Sequence, residues 1–208
     1  MSVSDVRPLG KPIAIGQSPD IFLNAADPIT TLAIWRRQLD EPLLEAAQVL
    51  SEKAFQVVTP LNPHSKDDQQ RFKQELISAT EHDCALLLDD LLDLSERYAK
   101  LSQTQNVRMR IETVEDGGCR RFHLDNVVMR LVVTYCGSGT QWVLPEFAAA
   151  AHAQQTNYAG PVNSVDTGDV AIFRGKKSGA ENLIFHRSPP LKPGSPARLV
   201  AVIDSFDA

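Results

Sequence analysis

His123 and Asp125 stand two residues apart in Arg121-Phe122-His123-Leu124-Asp125. On a β-strand alternate side chains share a face, so this imidazole and carboxylate are expected to project together. A second imidazole, His186, ends another strand-like run, Leu183-Ile184-Phe185-His186. Two imidazoles and one carboxylate hold a divalent ion on one face and leave its other positions open, a donor set suited to Fe(II) and oxygen chemistry. His-x-Asp alone is a weak sign, because such a tripeptide is most often a hydrogen-bonded surface pair. It gains weight here from its place, where a helical texture gives way to strands. It gains more from the later His, and from Arg198 at the start of the terminal strand.

The elements that must position these residues divide the chain in two. Residues 1–20 are rich in Pro, Gly and Ser and are expected to lie loosely on the surface. Residues 21–208 are read as one domain, mostly helical over about 21–105 and a β core over about 106–208. Leu32 to Trp35 is a short apolar run that reads as a strand. Asp40 can cap a helix with Pro42 in its first turn, and Leu43, Ala47, Leu50 and Ala54 recur at helical spacing, predicting a helix over 41–54. Phe55 to Val58 reads as a strand closed by Pro60 and Pro63. Ser65…Asp68 and Thr80…Asp83 resemble capping boxes, predicting two further helices. In the second, Leu87, Leu91, Leu94 and Tyr98 make a stripe read as core. Beyond residue 105 the period becomes two, in Val107 to Glu112 and again in Val127 to Tyr135. Short apolar runs at 170–173, 182–185 and 199–203 follow, separated by turns. Many short strands behind a helical half predict an α+β fold with a jelly-roll core.

Bulk properties narrow the function. The net charge of −5 argues against nucleic acid or an anionic membrane as partner. No run approaches the roughly 18 apolar residues of a membrane span, and Met1 to Lys11 lacks the apolar segment of a secretory signal. Three cysteines, Cys84, Cys119 and Cys136, make an odd set without CxxC, which reads as reduced thiols in the cytoplasm.

The string His123-Leu124-Asp125, with Met129 to Tyr135, Gly139-Thr140-Gln141-Trp142, Gly168 to Phe173, His186 and Arg198, resembles the core of the Fe(II)/2-oxoglutarate-dependent dioxygenases of the prolyl-hydroxylase type. The order agrees over about residues 107–205. His-Leu-Asp-Asn-Val with Arg130, Tyr135, Gly139-Thr140 and Trp142 is similar, more closely still, to a bacterial family of cupin-like proteins defined only as a domain of unknown function, whose genes tend to sit among those of zinc homeostasis. The resemblance implies a double-stranded β-helix, with the N-terminal helices packed on it and a metal at its mouth. His123, Asp125 and His186 would be the metal ligands and catalytic centre, Arg198 would pair with the far carboxylate of 2-oxoglutarate, and Tyr135 is a candidate for the same cosubstrate. Val200 departs from the pattern, since the dioxygenases commonly place a small or hydroxyl residue two positions after the arginine.

Other residues read more plainly. Arg130 is a candidate cosubstrate contact, though better explained as a structural arginine paired with Asp169 or Glu146. Asn126 and Arg187 flank ligands and could orient them. Trp142 reads as core, His64 as a loop residue, and His82 with Cys84 as a surface His beside a buried thiol. His152 is expected near the barrel mouth, and nothing in the spacing makes Cys119 and Cys136 converge. Two functions fit. One is an Fe(II)/2-oxoglutarate oxygenase acting on an unidentified small molecule or protein side chain. The other is a non-redox Zn²⁺-binding protein linked to metal homeostasis. A homodimer is compatible with either.

Overall fold

The computed structural model describes residues 11–115, 118–191 and 194–205. In chain order the elements are β1 (Ile13–Gly16), β2 (Leu32–Trp35), α1 (Glu41–Ser51), β3 (Gln56–Leu61), α2 (Lys66–Thr80), α3 (Ala85–Ser102), β4 (Val107–Val114), β5 (Met129–Cys136), β6 (Gln141–Trp142), α4 (Ala148–Gln154), β7 (Asn163–Ser164), β8 (Val170–Arg174), β9 (His186–Arg187) and β10 (Arg198–Ser205), with short 3-10 turns between some of them.

Local chemistry accounts for the starts of α1 and α2. Asp40 caps α1 by accepting the Leu43 amide at 3.1 Å, and Ser65 caps α2 by accepting that of Asp68 at 3.3 Å. The second expected box differs. Thr80 still belongs to α2, where its hydroxyl donates back to Leu76 O, and α3 begins after Cys84 with no side-chain cap. Nor does Pro60 close β3, which runs through it to Leu61. Strand β3 lies at a sheet edge, where a missing N–H costs no ladder bond. The expected looseness of residues 1–20 meets a different outcome over its described part. Residues 13–16 form β1, parallel to β2, and Pro19–Ala26 forms a 3-10 helix. Residues 1–10 of that stretch lie outside the described residues.

Seven strands form one sheet in the order β1-β2-β8-β5-β10-β4-β3, and β7-β6-β9 form a second. All pairs except β1–β2 are antiparallel. The helical half therefore supplies two strands of the main sheet, β2 and β3, as well as α1, α2 and α3, and β1 comes from the stretch ahead of it. Side-chain alternation gives this sheet two apolar faces. Leu131, Val133, Leu199, Ala201 and Ile203 join the helices in one core, with Leu87, Leu91 and Tyr98 among its members as the stripe predicts. Val132, Val200, Val202 and Phe173 pack with Trp142 and Ile184 in a second core between the two sheets. The result is an α+β jelly roll, a double-stranded β-helix with its N-terminal helices laid on one face. Trp142 is core, as read from the sequence.

Among the described residues no helix is long and apolar enough to cross a membrane. All three cysteines are unbridged. Cys136 is buried beside Ser51 on the helical side of the sheet, whereas Cys119 is exposed beside His123, so the two thiols do not converge.

Candidate metal centre

His123 and Asp125 reach the inner side of the jelly roll by a route the alternation argument did not supply. Neither belongs to a regular strand. A single bridge pairs His123 with His186 through two backbone bonds, His123 N to His186 O at 3.0 Å and His186 N to His123 O at 3.1 Å. Asp125 lies in the following loop, and its carbonyl accepts the Lys176 amide at 2.8 Å. Gly175 makes this closure possible. A Cβ there would stand 2.3 Å from Val127 O and 2.8 Å from Asp125 O, both rigid backbone atoms. Gly175→Ala is expected to push the Asp125 loop outward and weaken metal binding roughly 10- to 100-fold, the usual range for damage to groups that hold a ligand in place. Metal titration of the purified variant, with circular dichroism as a control for folding, measures this.

Ligand atoms of His123, Asp125 and His186 lie within 4.8 Å of one another. His186 Nε2 stands 3.1 Å from Asp125 Oδ2, and His123 Nε2 stands 3.6 Å from Asp125 Oδ1. Both imidazoles are oriented by carbonyls. Nδ1 of His123 donates to Arg121 O at 2.9 Å, and Nδ1 of His186 donates to Ile184 O at 3.1 Å. A carbonyl can only accept, so Nδ1 carries a proton in each ring, and Nε2, which faces Asp125, is a lone pair for an ion whenever the ring is neutral. Phe173 lies against the His186 ring, centroids 4.3 Å apart. Asp125 Oδ2 is buried and accepts no hydrogen bond. A buried carboxylate oxygen without a donor is costly, and a divalent ion among these three groups would satisfy it. The donor set thus fits a metal.

Arg130 holds the carboxylate from behind. Its Nε and Nη2 form a two-pronged pair with Asp204 of β10, both at 2.7 Å, while Nη1 donates to Asp125 Oδ1. Its acid partners are thus Asp204 and Asp125. The expected partners are elsewhere, since Asp169 accepts the Arg37 amide and Glu146 is exposed. With its fork occupied, Arg130 is a positioning residue here and not a free cosubstrate contact. Burial alone would raise the Asp125 pKa, but His123, His186 and Arg130 hold it well below the usual carboxylate range. His123 is shifted up, first by Asp125, against burial, which pulls it down. A proton on His123 competes with a metal at Nε2, so metal affinity is expected to rise with pH through and above the ordinary histidine value of 6.5. Calorimetry in buffers of differing ionisation heat should show proton release on binding below that range.

One cavity of about 160 Å³ opens from the two imidazoles and is lined also by Arg130, Thr140, Arg187 and Arg198. Arg198 is 1% exposed. Its Nε donates to Ser138 O at 2.5 Å and its Nη2 to Thr134 Oγ1 at 3.4 Å. Among the described residues it has no ion-pair partner, and burial lowers its pKa to about 10. Thr134, missed by the sequence reading, supplies from the neighbouring strand the hydroxyl that Val200 lacks.

Tyr135 is not in this cavity. It shares a face of β5 with Leu131 and Val133, so it points to the helices, and its hydroxyl donates to Asp90 of α3 at 2.5 Å. Arg37 grips the same carboxylate at 2.5 and 2.7 Å. The register of β5 therefore rules out the expected cosubstrate contact. Asn126 is exposed and makes no hydrogen bond to the triad. Arg187 lies over Phe122, with its carbon 4.3 Å from the ring centre, and donates to Gln141 Oε1, so it braces the cavity wall and not a ligand. His152 sits on α4 beside Phe185, outside the cavity. His64 is exposed ahead of α2, and His82 is exposed next to buried Cys84, as expected.

Solved structures to which the chain is similar include the dioxygenase for auxin oxidation 1 from Arabidopsis thaliana as a 2-oxoglutarate binary complex, at 10% identity over 95% of this chain and 93% of that one, with a TM-score of 0.49. The dioxygenase for auxin oxidation in rice aligns at 11% identity over 94% of this chain and 83% of that one, TM-score 0.47. A Pseudomonas putida prolyl-4-hydroxylase aligns at 9% identity over 91% of this chain and 99% of that one, TM-score 0.44. No curated protein matches the chain. One family model, described as Protein of unknown function (DUF1826), matches residues 16–204, in keeping with the resemblance read from His123-Leu124-Asp125. The chain belongs to that family.

Proposed function

We propose that the protein is an Fe(II)- and 2-oxoglutarate-dependent oxygenase of a small molecule. The observation that carries this reading is Arg198, a buried guanidinium with no carboxylate partner among the described residues, in the same cavity as the two imidazoles. Arginine keeps its charge when buried, so an unpaired one costs stability unless a ligand compensates it. Its planar fork suits a carboxylate. His123, Asp125 and His186 would hold the ion, and Arg198 would hold the distal carboxylate of the oxoacid, with Thr134 and Ser138 fixing the guanidinium. When bound, Fe(II) would activate O₂, the oxidant, with two electrons from the oxoacid, which leaves as succinate and CO₂. The chain contributes orientation, charge and a cavity that limits water. The unbridged thiols suit a reducing, cytoplasmic setting.

The test is succinate formation from 2-oxoglutarate with Fe(II) under air. Turnover that disappears in Arg198→Ala while metal binding persists supports the reading. Tight Zn²⁺ binding without oxoacid binding or turnover replaces it with a non-redox metal protein, since affinity order favours zinc over iron in any such site.

A further inference from the structure

We infer that Arg110 receives a carboxylate of the primary substrate, so that the substrate class is small carboxylic acids; this rests on the proposed oxygenase reading. Among the described residues four arginines line the cavity, Arg110, Arg130, Arg187 and Arg198, against one acid, Glu112. Three have assigned work. Arg130 is held by Asp204 and Asp125, Arg187 by Phe122 and Gln141, and Arg198 is the oxoacid contact. Arg110 remains. It stands on β4 opposite Val202 of β10, on the face that carries Glu112 and Val114 towards the cavity. The alternate residues Met109 and Ile111 belong to the helical core. Its register therefore aims it inward, between the row of Asp204 and the row of Arg198.

Arg110 is incompletely satisfied there. Its Nε is buried without a hydrogen bond, and its ion pair with Glu112 Oε1 is loose, at 3.5 Å. Glu112 is itself engaged at its other oxygen by the Gln56 side-chain amide, which draws it towards β3. A neutral substrate filling the cavity would remove water from this guanidinium and give nothing back, a net cost. A carboxylate would supply paired acceptors. The cavity of about 160 Å³ has to take the oxoacid as well, which limits the substrate to a compact acid.

The test uses the full chain loaded with Zn²⁺, which cannot support turnover, and saturated with 2-oxoglutarate so that Arg198 is occupied. Benzoate, phenylacetate and hexanoate, each beside its primary amide, are titrated by ligand-observed NMR. At least one acid is expected to bind about 10-fold or more tighter than its amide, as one charged hydrogen bond allows. Arg110→Gln should erase that preference, Arg110→Lys should keep part of it, and Glu112→Gln, which frees Arg110, should strengthen it. In each variant 2-oxoglutarate affinity should change less than about twofold. Acids and amides binding alike, neither binding, or a preference that survives in Arg110→Gln overturns the inference. Oxoacid affinity is measured first on the wild-type chain, so failure of the oxygenase reading is seen separately, as absence of 2-oxoglutarate binding.

Discussion

Replacing Arg198 by methionine is expected to raise the melting temperature and to remove oxoacid binding in the same molecule. The side chain is 1% exposed and lacks an acid partner among the described residues. Its lowered pKa, about 10, reports burial as the dominant influence, with Glu112 opposing it weakly from a distance. Methionine fills similar volume and leaves Val200 and Val202 packed. Substitution of buried charges by apolar residues of like size can stabilise by about 1–4 kcal/mol, and the lower half of that range is expected here because Ser138 O and Thr134 lose their donor. Two charged hydrogen bonds to a carboxylate are worth about 1.5–3 kcal/mol each, so 2-oxoglutarate affinity should fall roughly 100-fold or more. Calorimetric unfolding and titration of the metal-loaded chain measure both. A destabilised variant that still binds the oxoacid would mean that Arg198 is a structural residue.

Asp125→Ala is expected to have the largest effect on metal binding, a loss of well over 100-fold, since removal of outer supports alone costs about 10–100-fold. Two causes add. A ligand oxygen disappears, and the Arg130 guanidinium then faces the two imidazoles with only Asp204 to balance it. Asp204→Asn should cost less, within that 10- to 100-fold range, because Asp125 keeps its place but shares Arg130 with no second acid. The metal-free chain should also change its response to acid. The Asp125 pKa is depressed on folding, so its contribution to stability is present above the ordinary 3.8 and is lost as pH falls through the lower folded value. Asp125→Ala removes that dependence. Equal metal affinity in wild type and Asp125→Ala would remove the site altogether.

The C-terminal half was readable because period two survives in Val107 to Val114 and short apolar runs mark the strands after it, where one face meets helices and the other meets the small sheet. The triad was readable as residue types, but the geometry behind it was not. His123 and Asp125 converge through a single bridge and a loop closed at Gly175, and nothing in a tripeptide announces that contact. Tyr135 was misplaced because β5 is apolar on both sides, so alternation there does not say which side is which. Arg130 was rightly read as structural and wrongly partnered. Its acid comes from Asp204 at the far end of the chain, a pairing set by the register of β10 on β5. Arg110 looked like one member of an ordinary polar alternation, and only the cavity makes it stand out.

Strand β10 comes last in chain order among the described strands, yet it lies inside the sheet, between β4 and β5. Until it arrives, those two neighbours present open edges, which are sites for wrong pairing. It also delivers Arg198 and Asp204. A nascent chain therefore displays its histidines before it owns the charges that discipline them, and any ion captured in that interval is held without the final strand's selection. Arg198 and Asp204 should reach the cavity in one step with insertion of this strand, a non-local pairing.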